Sequence, residues 1–385
     1  MKTPPLALYA HFPWCVQKCP YCDFNSYTLR DALPEERYID TLIRDFDAQA
    51  GGLGARKLTS IFLGGGTPSL FSPAAIGRLL EHVRATLGVH EAAEVTLEAN
   101  PGTIERGRFT EYRAAGITRV SLGAQSFDAR QLQRLGRIHS ADETRRAAEE
   151  LHAAGLGNFN LDLMYALPDQ SADAAIADLE AALALQPAHL SQYHLTIDPG
   201  TVFAAAPPVQ PEDEVVEQML DRSLKVLNAA GFAQYEISGY ARSGRRCAHN
   251  LNYWTFGDYL GIGAGAHGKI SDPAGVITRT QQTREPRRYL AADPESLVRK
   301  PIPLRELPFE FAMNGFRLAE GFTDELFEAR TGLGVEVLER ALAGVVERGL
   351  VARSPGAWCT TATGFRFLNE ILVELLPEAK TPQAL

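Results

Sequence analysis

Cys15, Cys19 and Cys22 form a C-x3-C-x2-C triplet in the run Cys15-Val-Gln-Lys-Cys19-Pro-Tyr-Cys22. Three thiolates can hold three irons of a cubane 4Fe–4S cluster and leave the fourth iron open to another ligand. A structural zinc site asks for a fourth ligand nearby, and a ferredoxin-type cluster asks for a fourth cysteine. Neither Asp23, Phe24 nor a later residue close in sequence supplies one. A disulfide framework fails on parity, because three tightly spaced thiols cannot all pair. The triplet therefore reads as a cluster site that keeps one coordination position for another molecule.

The elements that must hold this loop follow a regular alternation from Leu6 to about Thr196. Strands are expected at 6–12, 58–63, 94–98, 119–125, 158–164 and 190–197. Amphipathic helices are expected between them at 35–50, 73–87, 103–115, 142–154 and 171–185. Such repetition, with leucine-rich or β-branched strands, predicts a parallel sheet. Six units fit a partial (β/α)6 barrel better than a closed eight-unit one. Polar residues recur at the C-terminal strand ends, where α/β folds place their ligands.

Three regions are expected: 1–206 as the barrel, 207–300 as a connecting region, and 301–385 as a C-terminal domain. The connecting region opens on Pro207, Pro208 and Pro211, forms a helix at 213–230, and continues as irregular glycine-rich and aromatic segments. The last region follows the Pro301 and Pro303 linker. Its helices at 307–318, 323–330 and 335–348, a strand-turn-strand at 350–361 and a helix from Thr363 give a mainly helical, winged-helix-like order. It carries eight basic and twelve acidic side chains, which favours a lid or interaction cap over DNA binding.

The chain has 385 residues, of which 45% are hydrophobic and 22% charged, an ordinary globular composition. A formal net charge of −9 argues against nucleic acid as the main partner. Five cysteines, three of them clustered, indicate a reducing compartment. The first fourteen residues lack the apolar core of a signal peptide, and no run reaches the length of a membrane span. The expectation is a soluble cytoplasmic protein.

The run Tyr9-Ala-His-Phe-Pro-Trp-Cys15 to Phe24, followed by Gly64-Gly-Gly-Thr-Pro68, resembles the start of radical S-adenosylmethionine (SAM) proteins. Within that superfamily nearly the whole chain resembles the oxygen-independent coproporphyrinogen III oxidase group. The resemblance implies that the amino and carboxylate groups of SAM chelate the open iron. It also implies reductive cleavage of SAM to methionine and a deoxyadenosyl radical. By residue it implies SAM contacts at Tyr9, Tyr21, Gly65, Gly66, Thr67, Glu98, Gln125, Arg137 and Asp162.

Physical chemistry suits those assignments. An aromatic ring suits the adenine face, and glycine lets a backbone approach a ligand closely. Glu98 can accept from an ammonium group, and the Arg137 fork binds two carboxylate oxygens together. Asp162 can accept from ribose hydroxyls. Each residue also has a plain structural use: Tyr9 as core, the glycines as a turn of positive φ, the others as ordinary polar positions.

Two departures separate the chain from the oxidase. The oxidase pattern has a further cysteine where this chain has Phe24, and it carries an extension before the cluster strand, where only eight residues precede Tyr9 here. Both features match haem chaperones of the HemW type, as does the motif His249-Asn-Leu-Asn-Tyr-Trp254. This implies a protein that binds haem as cargo and delivers it to apo-haemoproteins such as respiratory-chain enzymes. A reductant for the cluster, a membrane-protein acceptor and a homodimer belong to the same expectation. The alternative is the oxidase reaction itself, radical decarboxylation of coproporphyrinogen propionates.

His249 is a candidate axial ligand, with Tyr253 and Trp254 against the porphyrin plane. Cys247 and His267 are rival ligands. Arg242, Arg245 and Arg246, or Arg284, Arg287 and Arg288, are candidate propionate partners. Gly263-Ala-Gly-Ala-His-Gly268 fits G-x-G-x-x-G literally, but it lacks the helix and acidic residue of a dinucleotide site. It reads as close backbone packing, against the SAM pocket.

Overall fold

The computed structural model describes residues 2–103, 108–292 and 296–376. Parts of the expected third barrel helix (104–107), the connecting region (293–295) and the C-terminal domain (377–385) lie outside the described residues.

Six strands form the parallel centre: β1 (Leu6–Phe12), β2 (Leu58–Gly65), β3 (Val89–Ala99), β4 (Arg119–Gln125), β5 (Phe159–Tyr165) and β6 (His189–His194). Five helices return the chain between them: α1 (Glu35–Ala50), α2 (Pro73–Thr86), α3 (Arg108–Ala115), α4 (Ala141–Ala153) and α5 (Ala172–Ala184). Parallel pairing needs such crossovers. Local chemistry sets where several helices begin. Ser72 and Ser171 accept from the backbone N–H of Ala75 and Ala174, and Ser140 with Glu143 makes a reciprocal capping box.

Side chains alternate across each strand. In β1, Leu6, Leu8, Ala10 and Phe12 join the core with Ile39, Leu42 and Phe46 of α1 and Leu79, Leu80 and Val83 of α2. The alternate positions turn inward and are largely polar: Glu98 in β3, Arg119, Ser121 and Gln125 in β4, Asn160 and Asp162 in β5, Ser191 in β6. The result is a barrel with an apolar outer layer and a polar lumen.

The described residues between 207 and 300 form more regular elements than the sequence suggests. After α6 (Asp213–Ala229) come β7 (Ala233–Gln234), β8 (Gly239–Ala241), α7 (Ala248–Trp254), β9 (Asp258–Ile262), β10 (His267–Ser271), β11 (Ile277–Gln281), α8 (Pro286–Ala291) and β12 (Val298–Pro301). All six strands join the barrel sheet, whose order is β12-β11-β10-β9-β1-β2-β3-β4-β5-β6-β8-β7. β9 pairs parallel with β1, and the strands outside β9 and β6 are antiparallel. The architecture is α/β, a partial (β/α)6 barrel with added edge strands.

In the C-terminal region Phe311, Phe316, Phe322, Phe327, Leu338, Leu342 and Trp358 form a second core, which Phe256 and Ile277 of the connecting region join. Helices Leu307–Gly315, Asp324–Thr331 and Glu336–Glu347 precede a hairpin of Val351–Ser354 and Ala357–Thr360, the winged-helix order. It packs under α7, with the Arg317 guanidinium 4.3 Å over the Trp254 ring and Phe311 5.6 Å from Phe256. Among the described residues no helix is long and apolar enough to cross a membrane.

Candidate functional site

β1 runs into a loop that carries all three clustered cysteines, pinned at its base by parallel pairing of Trp14–Cys15 with Tyr27–Thr28. None of the three is in a disulfide. Burial pushes the Cys15 and Cys22 thiols up, opposed at Cys15 by the Thr67 hydroxyl and at Cys22 by Ser26. Arg137 Nη1 lies 3.6 Å from Cys19 Sγ and Nη2 donates to Gly123 O at 2.7 Å. Its Nε is buried with no hydrogen-bond partner among the described residues.

The glycine turn after β2 is built by close backbone approach. Gly66 and Thr67 donate to Phe12 O and Trp14 O at 2.7 and 2.8 Å, and a Cβ on Gly66 would fall 2.6 Å from Trp14 O. Gly65 takes φ +112 and donates to Glu98 Oε2 at 2.9 Å. The turn's structural requirement and its place on the cavity wall therefore coexist.

Glu98 is pushed up to about 7, first by burial and then by the nearby Asp162, with the Gly65 N–H opposing. Burial also raises Asp162, which accepts from Asn160 Nδ2 at 2.7 Å and Ser121 Oγ at 3.3 Å. Gln125 has φ +65 at a register irregularity between β4 and β5. Such a conformation costs a non-glycine residue about 1–3 kcal/mol, and here it ends the strand at the cavity wall. Tyr9 stands beside Phe62, and Tyr21 beside Phe203.

The three cysteines, the nine SAM candidates, and His249, Tyr253 and Trp254 all line one cavity of about 660 Å³. The last three reach it from the other end. His249 Nδ1 is 3.1 Å from Ser60 Oγ, and Ser60 lies five residues before Gly65, about 16 Å along a strand. α7 therefore plugs the barrel floor while the cysteine loop rims its mouth. His249 is 1% exposed and its Nε2 is 3.1 Å from Tyr253 OH, so both ring nitrogens are engaged. Burial, then Arg119, lowers it to about 3, which keeps it neutral. The rival Cys247 thiol is buried, pushed up to about 12, and donates to Glu94.

Other expectations take different places. His267 and the six arginines proposed for propionates do not line the cavity. Arg242 stacks on Phe232, and Arg246 pairs with Glu320. Gly263–Gly268 does not line the cavity either, so it packs elsewhere than against the SAM pocket.

Sequence reasoning missed several residues. His11 Nε2 bonds Asn25 O at 2.9 Å and Nδ1 bonds Tyr9 OH at 3.0 Å. A carbonyl only accepts, so Nε2 carries the hydrogen and Nδ1 accepts from the tyrosine. Arg119 is 2% exposed, 3.7 Å from Glu94, and lines the lumen. The available signal was polar residues at every second position of otherwise apolar strands, as in Arg119, Ser121 and Gln125.

The donor set fits a cubane cluster better than a single metal ion. No three His, Cys, Asp or Glu side chains converge on one ion site among the described residues. Three free sulfurs share one cavity, with a guanidinium at one of them and a carboxylate pair beyond.

Comparison with known proteins agrees. Residues 9–182 match the Radical SAM superfamily and residues 302–367 the HemN C-terminal domain. The chain is 47% identical over 383 residues to the Heme chaperone HemW of Escherichia coli (strain K12), covering 98% of this chain and 100% of that one. It is 46% identical over 381 residues to the Heme chaperone HemW of Haemophilus influenzae, covering 98% and 99%. The solved coproporphyrinogen III oxidase (HemN) of Escherichia coli shares the fold, with a TM-score of 0.82 at 22% identity over 97% of this chain and 90% of that one. With its cysteine loop, glycine turn and HNxxYW helix on one cavity, the chain belongs to the HemW family of haem chaperones in the radical SAM superfamily.

Proposed function

We propose that this protein binds haem in the cytoplasm and delivers it to apo-haemoproteins, using a SAM-liganded 4Fe–4S cluster. The carrying observation is the mouth of the cavity. Val16, Phe24, Ile138 and Tyr193 line it yet remain exposed, an apolar rim of the kind that marks a binding surface. Phe24 stands where the oxidase pattern has a cysteine, so an aromatic ring replaces a potential ligand beside the cluster loop.

Cys15, Cys19 and Cys22 would hold the cluster. When bound, it supplies an electron and one open coordination position. With SAM bound, Glu98 would accept from its ammonium group, and Arg137, whose buried Nε has no partner among the described residues, would bind its carboxylate. Asp162 and Gln125 bind hydroxyl and polar groups, Gly65, Gly66 and Thr67 shape the turn beneath them, and Tyr9 and Tyr21 supply aromatic walls. His249, Tyr253 and Trp254 serve the haem role from the floor. Axial ligation by His249 requires breaking one of its two hydrogen bonds. Respiratory-chain enzymes, membrane-bound ones included, are the proposed acceptors, with a separate reductant and a homodimer as the working assembly.

The test compares two assays on anaerobically reconstituted protein. Haem titrated by absorption is expected to bind and to pass to an apo-haemoprotein. Coproporphyrinogen III with SAM and reductant is expected to stay unchanged. Conversion to protoporphyrinogen would overturn the proposal in favour of the oxidase reaction. Cys15→Ser is expected to retain haem binding while losing transfer.

A further inference from the structure

The Gly263–Ala266 turn, between β9 and β10, packs on the cysteine loop. The Asn25 side-chain amide donates to Ala264 O and to Arg284 O, both at 2.9 Å. Its oxygen accepts from Tyr27 OH at 3.3 Å. The turn is itself fixed from behind. Gly263 N–H donates to Asp45 Oδ2 at 3.0 Å, and Ala264 N–H donates to Tyr38 OH at 3.1 Å. Asp45 is buried and also accepts from Gln49, Gln282 and Tyr289, which ties the turn to α1, to the residue after β11 and to α8.

Two glycines make this contact possible. A Cβ on Gly265, which has φ +81, would fall 2.2 Å from Asn25 Nδ2, and one on Gly263 would fall 2.4 Å from His11 O. The G-x-G spacing is thus accounted for by backbone seated against β1 and the loop after it. By contrast Val16, Gln17, Lys18, Asp23 and Phe24 of that loop are exposed.

We propose that Asn25 is a positioning residue for the cluster. Its amide clamps the three-cysteine loop onto a turn anchored in the barrel sheet, which fixes Cys22 relative to Cys15 and Cys19. This rests on the cluster reading of the thiols. Asn25→Asp is nearly isosteric but exchanges the donor for an oxygen facing two carbonyl oxygens. Gly265→Ala pushes on the same amide from the opposite side.

In both variants a chelator is expected to strip iron from the reconstituted protein roughly tenfold faster, the low end for losing a group that supports metal ligands. The EPR change of the reduced cluster on adding SAM is expected to shrink, a readout that a role in folding alone would not move. Asn25→Ala carries the same two readings should the aspartate variant not fold. Wild-type stripping rates and an unaltered SAM-dependent EPR change in the variants overturn the clamp alone. A wild-type protein that takes up no cluster overturns the cluster reading, and the clamp with it.

Discussion

Glu98 shows how a single residue trades stability for binding. Burial, and then the nearby Asp162, pushes its carboxyl up to about 7 from an ordinary value of 4.5. The folded state therefore holds the proton more tightly than the unfolded one. Wild-type stability is greatest below the unfolded value and falls as pH rises through the folded one. Glu98→Gln removes that penalty and leaves an oxygen for the Gly65 N–H. The variant is expected to be more stable than wild type at pH 8 by up to about 3 kcal/mol, with no difference below about pH 4.5. Urea unfolding of the cluster-free proteins at the two pH values checks this; a gap that widens in acid would contradict it. SAM affinity is expected to move the other way, weakening in the variant. At this scale the motif residues were legible because the triplet and the strand-end positions carry chemistry whatever surrounds them. Arg119 and Asn25 were not, since their importance lies in partners distant in sequence, Glu94 for the one and Ala264 and Arg284 for the other. Nor was His11, whose partners Tyr9 and Asn25 meet it only in the fold.

At the scale of elements, one carboxylate of the barrel gathers the first turn of α7 at its floor. Glu94 Oε1 accepts from Cys247 Sγ at 3.4 Å, Ala248 N at 3.0 Å and His249 N at 3.4 Å, while Arg119 faces its other oxygen. Glu94→Ala leaves three donors in the first turn of the helix without their acceptor and leaves the buried Arg119 guanidinium with Asp162 as its remaining carboxylate. The expected cost is about 3 kcal/mol, the low end for a broken buried pair. Ser60→Ala removes only the bond to His249 Nδ1 and is expected to cost about 1 kcal/mol. Denaturant unfolding ranks the two, and Cys247 should become labelled by a thiol reagent in Glu94→Ala but not in Ser60→Ala. Equal, small losses would show that α7 is held by its apolar contacts instead. The helix was hidden in the sequence for a related reason. It is seven residues long, and the flanking strands run from two to five. Periodicity needs longer windows than that, and β9 finds its partner in β1, far back in the chain. The six β-α units were legible because each carries its own pattern, and α1 and β4 match the expected bounds.

Across the whole molecule, the C-terminal domain closes the floor that α7 plugs, and Arg317 is one of the side chains that joins them. Its guanidinium covers Trp254 and lies 3.3 Å from Glu236, which is 4% exposed. Burial raises the Glu236 carboxyl and Arg317 pulls it back down. Backbone bonds flank the pair, with Ala319 N–H donating to Tyr235 O at 3.0 Å. Arg317→Met keeps an apolar stem on the indole but removes the cation, so Glu236 stays buried with only backbone support. The expected loss is about 3 kcal/mol at pH 8, the lower range for orphaning one partner of a buried pair. The sign with pH follows from the carboxyl. Without the cation its folded value rises further, so falling pH protonates it and the neutral acid no longer needs a partner. The variant's deficit should therefore shrink steadily as pH drops toward 5, whereas a deficit from lost packing on Trp254 would not change with pH. Unfolding curves at pH 8 and pH 5, read by tryptophan fluorescence, separate the two, and a deficit flat across that range would mean the domains are joined by apolar contact and not by this charge.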